Sequence, residues 1–172
     1  GGEWPASPQL CTRPRALDVN GDAAPDVITV VGSAVLGSTV VARSGTDARL
    51  LWETRGPPRT VRLVLAQLDG KGLPEVILAS SHGLIGALDA ATGATRWALS
   101  NGQRQPAQET HLAHGDLDGD GREDVVITCD TGTAGVSGVT GKPLWTVDGE
   151  KPFDCAVGQL RKGRSSDVVV AF

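Results

Sequence analysis

Asp116 to Thr128 reads DLDGDGREDVVIT, an acidic, glycine-broken loop of nine residues that runs straight into a β-branched stretch. The same order returns in Asp18 to Val30 (DVNGDAAPDVITV), Gln67 to Ala79 (QLDGKGLPEVILA) and Gln159 to Ala171 (QLRKGRSSDVVVA). The four copies begin 49, 49 and 43 residues apart, and a tryptophan marks the far end of each unit, at Trp4, Trp52, Trp97 and Trp145. A period of this length is the mark of a repeat architecture, in which each unit buries its apolar faces only against its neighbours.

One unit reads as four short strands. In the second, Val61 to Leu68 leads into the loop, Glu75 to Ser80 follows it, Ile85 to Leu88 comes after His82-Gly83, and Thr95 to Ala98 follows the turn at Asp89 to Gly93. Gly, Asp, Asn and Pro punctuate the junctions, where β-branched residues cannot supply the turn geometry. No stretch keeps a helical period for three turns. A four-stranded sheet of this size cannot shield both its faces alone, and sheets stacked face to face around an axis solve that problem. The expected fold is therefore all-β, a β-propeller of about three and a half blades. It is a single segment over 1–172, with units at about 5–56, 57–101, 102–148 and 149–172. The chain opens on the end of one unit and stops early in another, so it reads as an excerpt of a larger ring rather than as four blades closed end to end.

Leu51-Trp52, Arg96-Trp97 and Leu144-Trp145 each place an indole on a strand just after a turn containing Gly45, Gly93 or Gly141. There a large flat ring can wedge between adjacent sheets, removing about 150 to 250 Å² from water. That reading outweighs a role in stacking on sugars or bases.

The loops carry the chemistry. Asp18, Asn20, Asp22 and Asp26 fill positions 1, 3, 5 and 9 of the first copy, and Asp116, Asp118, Asp120 and Asp124 those of the third. Ala24 and Arg122 stand at position 7, where a backbone carbonyl can serve. Oxygen donors at alternate positions of a tight turn converge on one point, and that number of hard donors suits Ca²⁺ better than Zn²⁺. Two sites are expected, with the four-carboxylate loop Asp116 to Asp124 the tighter. An EF-hand is excluded because Thr29 and Ile127, inside β runs, stand where its glutamate should be. The second copy has Lys71 at position 5 and the fourth has Arg161 at position 3 with Gly163 at position 5, so neither offers the ion a full acidic set.

The loops DVNGDAAPDV and DLDGDGREDV resemble the calcium loops of the FG-GAP or VCBS repeats of integrin-α-like propellers. The half-units IGALDAATGATRW and VSGVTGKPLW are similar instead to the blade motif of quinoprotein propellers. Both resemblances imply a propeller, but the first implies an adhesion, ligand-binding or scaffold module and the second a dehydrogenase. The resemblance carries the calcium ligands over to Asp18, Asn20, Asp22 and Asp26 and to Asp116, Asp118, Asp120 and Asp124. The quinoprotein resemblance would require adjacent cysteines, and none occur.

Other readings are bounded by composition. A net charge of −4 with the carboxylates held in loops argues against nucleic acid or an anionic membrane as partner. No apolar run approaches the ~20 residues that span a bilayer, so a membrane would be reached only through regions outside this chain. Cys11, Cys129 and Cys155 follow no metal-ligand spacing and read as buried thiols, or as one disulfide between Cys129 and Cys155. His111 and His114, three apart on an extended strand, would face opposite sides and share no zinc. No nucleophile motif is present, and a catalytic residue is not expected. The expected function is a calcium-binding module for protein–protein interaction or adhesion, extracellular, cell-surface or periplasmic. A propeller body of an extracellular enzyme (polysaccharide lyase or quinoprotein-like) and a carbohydrate-binding lectin are the alternatives.

Overall fold

The computed structural model describes residues 12–33, 37–100, 109–149, 152–163 and 165–172. Fourteen strands and no helix occur among them. Blade one comprises β1 (Arg15–Leu17), β2 (Asp26–Ser33), β3 (Gly37–Arg43) and β4 (Leu50–Arg55), and blade two β5 (Thr60–Ala66), β6 (Glu75–Ser80), β7 (Leu84–Leu88) and β8 (Thr95–Ser100). Blade three comprises β9 (Thr110–Gly115), β10 (Asp124–Cys129), β11 (Gly132–Val136) and β12 (Pro143–Asp148), and β13 (Asp154–Gly158) with β14 (Asp167–Ala171) opens a fourth. Each sheet is an antiparallel meander in chain order, the topology expected of propeller blades.

The reason for stacking is visible in β6. Val76 and Leu78 pack into a cluster with Ile28, Val30, Val40, Ala42 and Trp52 of blade one, while Ile77 and Ala79 pack into a second cluster with Val125 and Ile127 of blade three. Successive side chains of a strand point to opposite faces, so a β-branched run without polar alternation has two faces to bury. β10 is likewise buried along its whole length, whereas β14 leaves Val169 exposed, and Phe153, Leu160 and Phe172, just outside β13 and β14, are exposed as well.

Trp52 and Trp97 do what their position suggested. Trp52 donates its indole N–H to the Ala90 carbonyl of blade two at 2.8 Å, and Trp97 repeats this to the Gly138 carbonyl of blade three at 2.7 Å. Gly93 and Gly141, both with φ near +70°, lie flat on these rings, where an added Cβ would run into the indole. Trp4 and Cys11 lie outside the described residues. No disulfide joins Cys129 to Cys155. Burial pushes the Cys155 thiol pKa up.

Candidate metal centre

All four loops join the first and second strands of their blades, at one end of the stack. In the third, Asp116 accepts the amides of Gly119 at 2.6 Å and Gly121 at 2.9 Å, Asp118 accepts that of Asp120, and Asp120 accepts that of Arg122. Gly119 and Gly121 hold positive φ, which lets the chain curl around its own carboxylates. The result is that oxygens of Asp116, Asp118 and Asp120 lie within 4.8 Å of one another, at the loop surface. The first loop repeats the network: Asp18 takes the amides of Gly21, Asp22 and Ala23, Asn20 takes that of Asp22, and Asp22 takes that of Ala24. The Asn20 side-chain amide also donates to Asp22.

Position 9 is different. Asp124 is buried and accepts Leu117 N–H on one oxygen and Gly138 N–H on the other, both at 2.9 Å. Asp26 is buried and accepts Val19, Asn20 and Gly45 amides. Glu75 takes the Leu68 amide and Asp167 those of Leu160 and Arg161, in the two copies that lack the full acidic pattern. The carboxylate at position 9 therefore staples the loop in every copy, whatever the loop binds, and it stands outside the group of converging oxygens. It is still compatible with a metal, since each carboxylate oxygen has a second lone pair. Position 7 is held through its amide, Ala24 to Asp22 and Arg122 to Asp120, with the carbonyl left over.

Electrostatics separate the copies. Burial raises the Asp124 pKa above the ordinary carboxylate range against the pull of its two amides, and Asp118 and Asp120 add to the rise. For Asp26 burial works in the same sense, but the amides of Gly45, Val19 and Asn20 outweigh it and the net shift is downward. Among the described residues, no Lys or Arg comes within 4 Å of the loop carboxylates of copies one and three. In copy two, Arg96 reaches Asp69 at 2.6 Å, Glu75 at 2.9 Å and Asp89 at 3.3 Å, so its guanidinium joins positions 3 and 9 of the loop. In copy four, Arg161 pairs with Asp167, again positions 3 and 9. Gln67 and Gln159, at position 1, donate across their loops to Gly72 and Gly163 carbonyls. Hard oxygen donors that converge without any internal cation fit a divalent ion, and among the described residues only Asp116, Asp118 and Asp120 form such a group; the carboxylates of the first loop, Asp18, Asp22 and Asp26, are not brought together in this way, and the two basic copies do not fit. Arg96 was not singled out from sequence, although the copy with Lys71 is the only one with arginine before its tryptophan.

Neighbouring loops are tied together. The position-8 amide of one donates to the position-1 carbonyl of the loop before it, Glu123 to Gln67 at 3.2 Å and Ser166 to Asp116 at 2.5 Å. Glu123 also takes the Gln67 amide at 2.6 Å and approaches His114 at 3.0 Å, whereas His111 faces Asp154 at 3.2 Å. The two histidines thus serve opposite interfaces and share no ligand.

Residues 33–144, well over half of the chain, match the family described as the FAM234A/B beta-propeller. The chain belongs to that family. This settles the propeller, but not the FG-GAP or VCBS repeat that the acidic loops resemble. The comparison with curated proteins gives no match. Among solved structures, the Bacillus licheniformis rhamnogalacturonan lyase PL11 is similar at 14% identity and a TM-score of 0.64, over 94% of this chain and 40% of that one. The exotype rhamnogalacturonan lyase YesX gives 14%, 0.63, 94% and 38%, and BamB from Moraxella catarrhalis 19%, 0.50, 74% and 34%. The chain spans about a third to two-fifths of the length of these structures, and the likeness is one of fold.

Proposed function

We propose that this stretch is a calcium-binding β-propeller module that acts in protein–protein interaction or adhesion, without catalysis of its own. The observation that carries the reading is the convergence of Asp116, Asp118 and Asp120 within 4.8 Å in a loop with no internal cation. Three like charges so close are costly unless something positive joins them. Asp116, Asp118, Asp120 and the Arg122 carbonyl, with Asp124 behind them, would hold the ion in the third loop; Asp18, Asn20, Asp22, the Ala24 carbonyl and Asp26 would hold it in the first. The ion would supply charge neutralisation and loop rigidity. Open sites of this kind on extracellular modules work at ~0.1 to 1 mM calcium, which supports a location outside the cytosol. A partner protein is the expected ligand of the propeller surface.

Calorimetric titration of EDTA-treated protein with Ca²⁺ is expected to give two sites, the tighter one lost in Asp118→Asn. Absence of any calcium heat would overturn the metal reading. A second reading, the propeller body of an extracellular polysaccharide-acting enzyme, is favoured only by the likeness to two rhamnogalacturonan lyase structures. Turnover of a rhamnogalacturonan by the chain itself would replace the first reading with the second.

A further inference from the structure

The residue before each blade tryptophan sits at the same irregularity. The pairing of the third and fourth strands slips between Ala42 and Arg43, between Ala87 and Leu88, and between Gly135 and Val136, and the unpaired residue on the fourth strand is Leu51, Arg96 and Leu144 in turn. A bulge of this kind re-aims one side chain. In blade two it aims the Arg96 guanidinium at Asp69 and Glu75, positions 3 and 9 of that blade's own loop. In blades one and three, whose loops are the acidic ones, the bulge carries leucine.

We propose that the bulge residue decides which loops take a metal ion: arginine there serves as a built-in cation for the loop, and leucine leaves the loop to an external one. The inference rests on the calcium reading for the acidic loops but is anchored independently in the Arg96 contacts. Arg161 supports it from a different place in the sequence. In copy four the guanidinium comes from position 3 of the loop, yet it reaches the same carboxylate, position 9. Two copies have thus reached one electrostatic solution by different residues, and the two copies without it are the ones with unneutralised aspartates. Gln67 and Gln159 agree, since a position-1 amide that donates across the loop removes a ligand oxygen charge where the cation is internal.

Leu144 is partly exposed and is no part of the core clusters, so it can be changed without emptying the interior. Leu144→Arg is expected to do two things that Leu144→Gln, a neutral control of similar length, does not. It weakens calcium binding at the third loop by about tenfold or more, because the ion meets a charge already in place. It also raises the melting temperature in EDTA, because Asp118 and Asp124 gain the partner that Asp69 and Glu75 have. Equal calcium affinity in wild type, Leu144→Arg and Leu144→Gln would overturn the proposal. Were the wild type to bind no calcium, the calcium reading would fail by itself and the melting temperatures in EDTA would decide this one. An arginine variant no more stable than the glutamine variant would then refute it.

Discussion

Glu75 shows how one residue's charge is managed inside a sheet stack. It is almost wholly buried, and burial holds its carboxyl above the ordinary range, with the Leu68 amide and Arg96 pulling the other way. Asp69, beside it, is held below the usual range chiefly by its hydrogen bond from Arg96. The signs follow from linkage. A raised folded pKa stabilises below the unfolded value and loses that contribution as pH rises through the folded value; a lowered one is stabilising above the unfolded value and loses it in acid. Arg96→Leu therefore leaves the Glu75 carboxyl buried without its guanidinium partner, and costs about 2 kcal/mol at pH 7 after allowing for the partial exposure of the guanidinium. The deficit relative to wild type shrinks as pH falls, first as Glu75 takes up its proton and then, below about pH 4, as the pairs with Asp69 and Asp89 are lost from the wild type as well. Urea titrations of both proteins at pH 7 and pH 4.5 check this; a deficit independent of pH would mean that Arg96 contributes packing alone. The role of position 9 was half legible at this scale. The sequence shows a carboxylate there in all four copies, Asp26, Glu75, Asp124 and Asp167, which is already more than two metal sites require. What it cannot show is a backbone partner such as Gly45 or Gly138, set by a turn 14 to 19 residues away.

At the scale of elements, strand existence and order could be read because the polypeptide alternates between two strong signals, β-branched runs and glycine or aspartate turns. β6 and β10 coincide with runs that have no polar alternation, and their burial on both faces follows from that pattern. The bulges were not legible, since a one-residue slip leaves the composition of a strand unchanged, and with them Arg96 was missed. The tryptophan was legible as a wedge because its size admits few other places. Its hydrogen bond to the next blade makes the contact directional, so the indoles should differ in worth by what they meet. Trp52 is 9% exposed and bonded to Ala90, whereas the Trp145 indole makes no hydrogen bond among the described residues. Trp52→Ala is expected to cost about 3 to 5 kcal/mol, and Trp145→Ala clearly less, in thermal or urea unfolding. Equal losses would show that the ring acts within its own blade rather than between blades.

For the whole molecule, the order of blades was set by the 49-residue period, and the position of the loops at one end of the stack follows from their shared place between first and second strands. The coupling between loops did not follow. It depends on position 8, where Glu123 and Ser166 donate a backbone N–H to the preceding loop and Pro74 has none to give, so the loops of blades one and two lack the link that joins two to three and three to four. Loop three therefore sits in the continuous part of this belt, and an ion there stabilises more than its own turn. If calcium binds only the folded state, it adds about 2.7 kcal/mol per site at a hundredfold excess over the dissociation constant, which for a chain of this size is a rise of about 5 to 10 °C in melting temperature. That rise should be smaller in Asp118→Asn than in Asp22→Asn, because the third loop has more carboxylates and is bonded through Ser166 to blade four. Scanning calorimetry of the three proteins in EDTA and in calcium at a hundredfold excess over the dissociation constant measures it. A larger loss in Asp22→Asn would place the dominant ion in the first loop, and make carboxylate count a poor guide to affinity in this propeller.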